Sequence, residues 1–239
     1  MADLTINWQP ILIAIAGGIV PSLVWLLFWL QEDRKSPEPT GLIIISFLAG
    51  MAVVYLALPV QKFVAYALPT ISQTAQITIF ATIEEIAKYS AVLFIAFRSR
   101  YFDEPIDAVI YLVTAALGFA AMENILYVLK DLAHSGTIMA LLDGSSRFIG
   151  ATILHTISSA IIGIAIAFAF YSSRVTKFIA VILSLIAASL LHAYFNLTIM
   201  NTKGTLSVLW AFAPYWAAII GIIIVLEFVK RLKQPTNNI

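Results

Sequence analysis

Two adjacent carboxylates and a lysine (Glu84, Glu85, Lys88), a third carboxylate (Glu123) and two imidazoles (His155, His192) each interrupt a long apolar run of the sequence. Residues four apart share a helix face, so a helical reading pairs Glu84 with Lys88, Phe119 with Glu123, His155 with Ser159 and His192 with Asn196. Glu85 and Asn124 then lie about 100° around from Glu84 and Glu123. Several carboxylates, two imidazoles and an amide in one place can deprotonate a water, bind a divalent cation or relay protons. Residue types alone leave all three open. The plain structural alternative is an ion pair between Glu84 and Lys88, with each histidine merely bonding a neighbouring helix.

The surroundings make these groups expensive. Of 239 residues, 61% are hydrophobic and only 11% charged, too few charges to cover a water-facing surface. Runs of 18 or more apolar residues recur, each long enough for a hydrocarbon core of about 30 Å, and none shows the alternation of a barrel strand. The expected fold is all-α: a polytopic bundle of about seven transmembrane helices in a single integral membrane domain, 1–239, with its motif-bearing core at about 75–200. Polar breaks place the spans near 11–30, 41–58, 75–97, 107–129, 148–171, 178–198 and 206–229. The first run has no Lys or Arg ahead of it and is too long for a signal-peptide core, so it reads as a retained span. Val60 to Leu68, bracketed by Pro59 and Pro69, is too short to cross and is expected to lie in the interface or re-enter. The 130–147 stretch reads as the longest polar connection.

A net charge of +1 offers no basic stripe for nucleic acid, and the absence of cysteine leaves His, Asp and Glu as the only metal ligands. With the N-terminus outside and the C-terminus inside, nine basic residues (Arg34, Lys35, Arg98, Arg100, Arg174, Lys177, Lys230, Arg231, Lys233) face the cytoplasm. Four (Lys62, Lys130, Arg147, Lys203) face outward. In that orientation Glu84, Glu123, His155 and His192, on four consecutive antiparallel spans, all fall roughly 9 to 13 Å below the outer boundary. Structural pairing would need only two helices; a common depth on four suggests one polar cluster.

The strings themselves, EEIAK at Glu84 to Lys88, FAAMEN at Phe119 to Asn124, HTISS at His155 to Ser159 and HAYFN at His192 to Asn196, resemble the PrsW family of intramembrane proteases. That family's pattern is similar to EExxK, then FxxxE with Asn following, then His on two later helices. The DEPIDAVIY stretch from Asp103 to Tyr111 is of the same character. The CAAX-processing proteases of the same superfamily carry EExxxR and FxxxH instead; here Lys88 stands one position earlier and Glu123 replaces that histidine.

The resemblance implies a peptidase of a bacterial or archaeal cell membrane, surrounded by lipid. It would cut a single-span membrane protein, of the kind of a membrane-anchored anti-sigma factor, near its extracytoplasmic side. In its metal-dependent form Glu123, His155 and His192 hold a zinc-type divalent ion, Glu84 or Glu85 deprotonates the water, and Lys88 keeps its partner ionised. In its metal-free form Glu84 activates water directly, helped by Glu123 or a histidine, with His192 and Asn196 at the oxyanion. The rivals are a proton-coupled transporter, against which stands the lack of an inverted repeat and of paired Gly/Pro breaks, and a non-cleaving relative that binds membrane partners.

Overall fold

In a computed structural model that describes residues 8–135, 137–202 and 205–233, the chain forms seven α-helices. They are α1 (Trp8–Trp29), followed by a 3-10 turn (Leu30–Asp33), α2 (Thr40–Ala67), α3 (Gln73–Ile95), α4 (Asp107–Ser135), α5 (Thr137–Phe168), α6 (Arg174–Asn201) and α7 (Thr205–Val229). No strand occurs among the described residues. Six of the seven are long and apolar enough to cross a membrane. The exception, α3, has the length, 23 residues, but carries Glu84, Glu85 and Lys88. The chain is an integral membrane protein.

Helix starts follow their capping chemistry. The Ser72 hydroxyl accepts the Ala75 amide at 3.2 Å to open α3, and the Ser173 hydroxyl accepts that of Thr176 at 3.2 Å to open α6. Two expectations are corrected. Pro59 does not end α2, so 60–67 is its last two turns and neither re-enters nor lies apart. A proline removes one backbone hydrogen bond, and in apolar surroundings the other backbone groups are still best served by continuing the helix. The polar 130–147 stretch is likewise mostly helix, because α4 runs on to Ser135 and α5 starts at Thr137; Gly136 lies outside the described residues. Polar composition there marks the end of the apolar layer and not the end of the helix.

The core is α4 with α5. Their apolar windows are 83% and 72% buried, against a third or less for α1, α2, α6 and α7, whose Leu27, Leu56, Phe178 and Trp210 point outward. Helix α4 packs on α1, α2 and α5, while α3 is held between α2 and α6. Close approach depends on missing side chains: a Cβ on Gly50 of α2 would overlap the carbonyl oxygen of Ala115, and one on Gly118 of α4 that of Phe47. With little hydrophobic drive between helices in lipid, backbone proximity of this kind supplies the packing.

Candidate active site

Glu84 is the central residue of α3, and Glu123, His155 and His192 also fall near the middle of their helices. The extensions of α4 and α5 therefore shift the boundaries from which the 9 to 13 Å depth was measured.

Lys88, completely buried, is the cation around which the site is built. Its ammonium sits 2.7 Å from Glu85 Oε1, 3.0 Å from His155 Nδ1 and 3.5 Å from Ser158 Oγ, which gives each of its three protons a direction. The Phe119 ring lies 5.5 Å beneath it. Glu85 is equally buried and also bonds His192 Nδ1 at 2.7 Å. Lysine donates to Glu85 already, so the carboxylate accepts from His192 and fixes the proton of that ring on Nδ1. The other nitrogen, Nε2, is then an acceptor. It faces Glu84 Oε2 at 3.5 Å, and that oxygen is buried with no hydrogen-bond partner among the described residues. Two acceptors set opposite one another require something between them: a water, a proton or a cation.

Glu84 is held by its other oxygen, Oε1, which accepts from Gln61 Nε2 at 2.8 Å. His155 accepts the lysine proton at Nδ1 and so carries its own on Nε2, which lies 2.9 Å from Glu123 Oε2. Its ring rests on Phe119, centroids 5.2 Å apart, and stands edge-on to His192 at 5.0 Å. Glu123 is the open member of the group, its side chain 34% exposed.

Two cavities, each of about 220 Å³, meet at this cluster. One is walled by α3, α5 and α6 and reaches Glu84, Glu123, both histidines and Asn196. The other lies between α2 and α4 and touches Gln61, Glu84 and Glu123 from behind. Ile77, Ile199 and Met200 in the first and Leu126 and Lys130 in the second lie towards the same end of the bundle, where α4 and α6 finish and α3 begins.

The four helices thus bring Glu84, Glu85, Lys88, Glu123, His155 and His192 together, with Asn196 on the cavity wall. The pairing differs from helix-face arithmetic: Lys88 bonds Glu85 three residues away and not Glu84, because Glu84 turns to Gln61 and the cavity. Ser158, not Ser159, reaches the lysine; the Ser159 hydroxyl is buried with no partner among the described residues. One ligand atom each from Glu84, His155 and His192 lie within 4.8 Å of one another. The expected trio had Glu123 where this one has Glu84; Glu123 Oε2 lies beside the same group, 2.9 Å from His155 Nε2. Gln61 was missed. Its only signal was an amide inside the segment set aside as too short to span.

The donor set suits a divalent ion: two imidazole nitrogens and the Glu84 carboxylate, whose orphaned, buried oxygen faces an unprotonated nitrogen. Glu85 on the far nitrogen of His192 is the outer carboxylate that usually accompanies such a ligand.

Comparison with known proteins agrees with the strings. The profile described as PrsW family intramembrane metalloprotease matches residues 38–225. Among curated relatives, Protease PrsW of Geobacillus kaustophilus is 30% identical over 141 residues, 59% of this chain and 63% of that protein. Protease PrsW of Bacillus subtilis is 27% identical over 187 residues, covering 76% and 80%. That of Clostridioides difficile is 25% identical over 189 residues, 77% of each. The matched stretch thus spans less than two thirds of the Geobacillus relative. No solved structure matches the chain.

Proposed function

The chain belongs to the PrsW family of intramembrane metalloproteases, and from that premise we propose that it hydrolyses a peptide bond of a single-span, membrane-anchored protein inside the cavity lined by Glu84, Glu123, His155 and His192. The observation that carries this reading is Glu84 Oε2, without a hydrogen-bond partner among the described residues and set 3.5 Å from His192 Nε2 at the wall of that cavity. It is where a reacting water has two acceptors waiting for it.

Glu84, His155 and His192 would hold a divalent metal, which when bound lowers the pKa of a water and polarises the scissile carbonyl. The protein's own groups divide the remaining work. His155 can ligate through Nε2 only after giving up the proton it bears there, and Glu123, 2.9 Å away, is placed to take it. Once that proton has passed on to the solvent of the cavity, which Glu123 reaches with a side chain 34% exposed, Glu123 is again a carboxylate and can accept the water proton and return it to the departing amine. Glu85 and Lys88 do not touch the cavity; they hold His192 and His155 in their tautomers, a positioning role. The Asn196 amide, one turn beyond His192, is available to a developing oxyanion. Without a metal Glu84 would be the base itself, taking the water proton on Oε2 and returning it to the departing amine.

Both cavities extend towards the end where α4 and α6 terminate. Under the positive-inside bias that end is extracytoplasmic, and the cut is expected there. A single-span reporter in proteoliposomes, its products mapped by mass spectrometry, tests the reading. Wild-type protein should cleave it, while Glu84→Ala, His155→Ala and His192→Ala should be inserted but inactive. A transporter or a non-cleaving relative would leave the reporter intact in every sample, and a cytoplasmic cut would overturn the assignment of sides.

A further inference from the structure

A second polar cluster stands at the opposite end of the bundle, where α1 ends and α2 and α4 begin. It comprises Asp33, which closes the 3-10 turn, Glu38, between Pro37 and Pro39, and Asp107, the first residue of α4. One carboxylate oxygen of each lies within 4.8 Å of the other two. Along α4 it is about 24 Å from Glu123, at 1.5 Å per residue, so it is separate from the site above.

Much of the cluster is held from outside. The Asp107 Oδ2 accepts the amides of Asp103 and Glu104 at 2.9 and 2.7 Å, and the Tyr111 hydroxyl donates to Glu38 Oε2. The Glu38 and Asp107 side chains are also within hydrogen-bonding reach of each other, so a shared proton could serve those two. It would not serve Asp33, which is 95% buried and whose Oδ2 has no partner among the described residues. Nor does a protein cation fill the place: Lys230, a basic group that bears on Asp33, is held by Glu32 at 2.7 Å and Glu227 at 2.8 Å. Three converging carboxylates on three separate elements, one with an orphaned buried oxygen, form an arrangement that calls for a cation.

We propose that Asp33, Glu38 and Asp107 bind a hard divalent cation, Mg²⁺ or Ca²⁺, that ties the end of α1 and the start of α2 to the start of α4. All-oxygen ligands select this class over zinc, and the Tyr111 hydroxyl orients Glu38 as an outer partner does. Of the three carboxylates Asp33 lines a cavity of about 470 Å³, whose wall mixes acidic (Glu32, Glu104) and basic (Arg34, Lys230) groups, so a cation would enter on the Asp33 side. The site is a staple and takes no part in hydrolysis.

The test uses full-length protein in detergent, stripped with EDTA and titrated with MgCl₂ or CaCl₂ while thermal unfolding is followed. Wild type and Glu84→Gln should both show a saturable rise in melting temperature of about 5 to 10 °C, and Asp33→Asn should show none. Stripped Asp33→Asn should melt no lower than stripped wild type, since it loses a like charge. An equal rise in Asp33→Asn, or no rise in wild type, overturns the proposal, as does a melting temperature that follows pH but neither cation. If Asp33→Asn does not fold, Tb³⁺ luminescence excited through the protein's aromatic residues decides: Glu84→Gln should give emission that excess Ca²⁺ displaces, and absence of such emission overturns the site.

Discussion

The two polar clusters use similar residues and solve opposite problems. At mid-bundle, the Lys88 ammonium bonds Glu85 and His155 directly, and Glu85 in turn bonds His192, so both imidazoles are fixed. Glu84 and Glu123 face the cavity together with the two imidazoles. At the far end, Asp33, Glu38 and Asp107 converge with no cation of the protein's own among the described residues. One cluster carries its counter-charge in the sequence, so its remaining groups are free for chemistry; the other must import the charge, so its groups are committed to holding it.

The largest effect expected from this contrast is on stability. Lys88→Met strands Glu85 in the interior and should cost about 3 to 5 kcal/mol, read as lower yield and an earlier unfolding transition. Asp107→Asn in metal-free protein should cost far less, because it relieves repulsion at one carboxylate. Equal losses would mean that the lysine is not the keystone of the first cluster. Next comes Gln61→Ala, which removes the hydrogen bond holding Glu84 Oε1. A hydrogen bond to a charged group contributes about 1.5 to 3 kcal/mol, so cleavage should fall roughly ten- to a hundredfold with the fold intact. Unchanged turnover would show that Glu84 is placed by α3 alone. Smallest is Lys230→Ala, which breaks two solvent-reached pairs beside the acidic cluster and should change stability by at most about 1 kcal/mol. A loss of several kcal/mol would mean that Lys230 already serves as the counter-charge of that cluster.

The first cluster was legible in the sequence and the second was not, for a physical reason. Glu84, Lys88, Glu123, His155 and His192 stand inside apolar runs, where an ionisable group announces a function by its cost alone. Asp33, Glu38 and Asp107 lie at the ends of such runs, where charges are ordinary and only folding reveals that Asp33 is buried. The helical class and the spans could be read from apolar length. The continuity of α2 through Pro59 could not, since a proline marks a break in water more reliably than in lipid, and with it went Gln61. The partner of Glu84 was not legible for a related reason: spacing places residues on a face, but whether Glu84 turns to Lys88 or to Gln61 depends on what α2 and α5 set beside it.

If Glu84, His155 and His192 form one metal-holding catalytic centre distinct from the acidic staple, elemental analysis of purified protein should tell the two clusters apart. Wild type and Asp33→Asn should each carry about one zinc-type ion per chain, as an open three-ligand site predicts, while Glu84→Gln and His192→Ala should carry almost none. Equal transition-metal content in all four proteins, or proteolytically active wild type that carries none, would contradict that proposal.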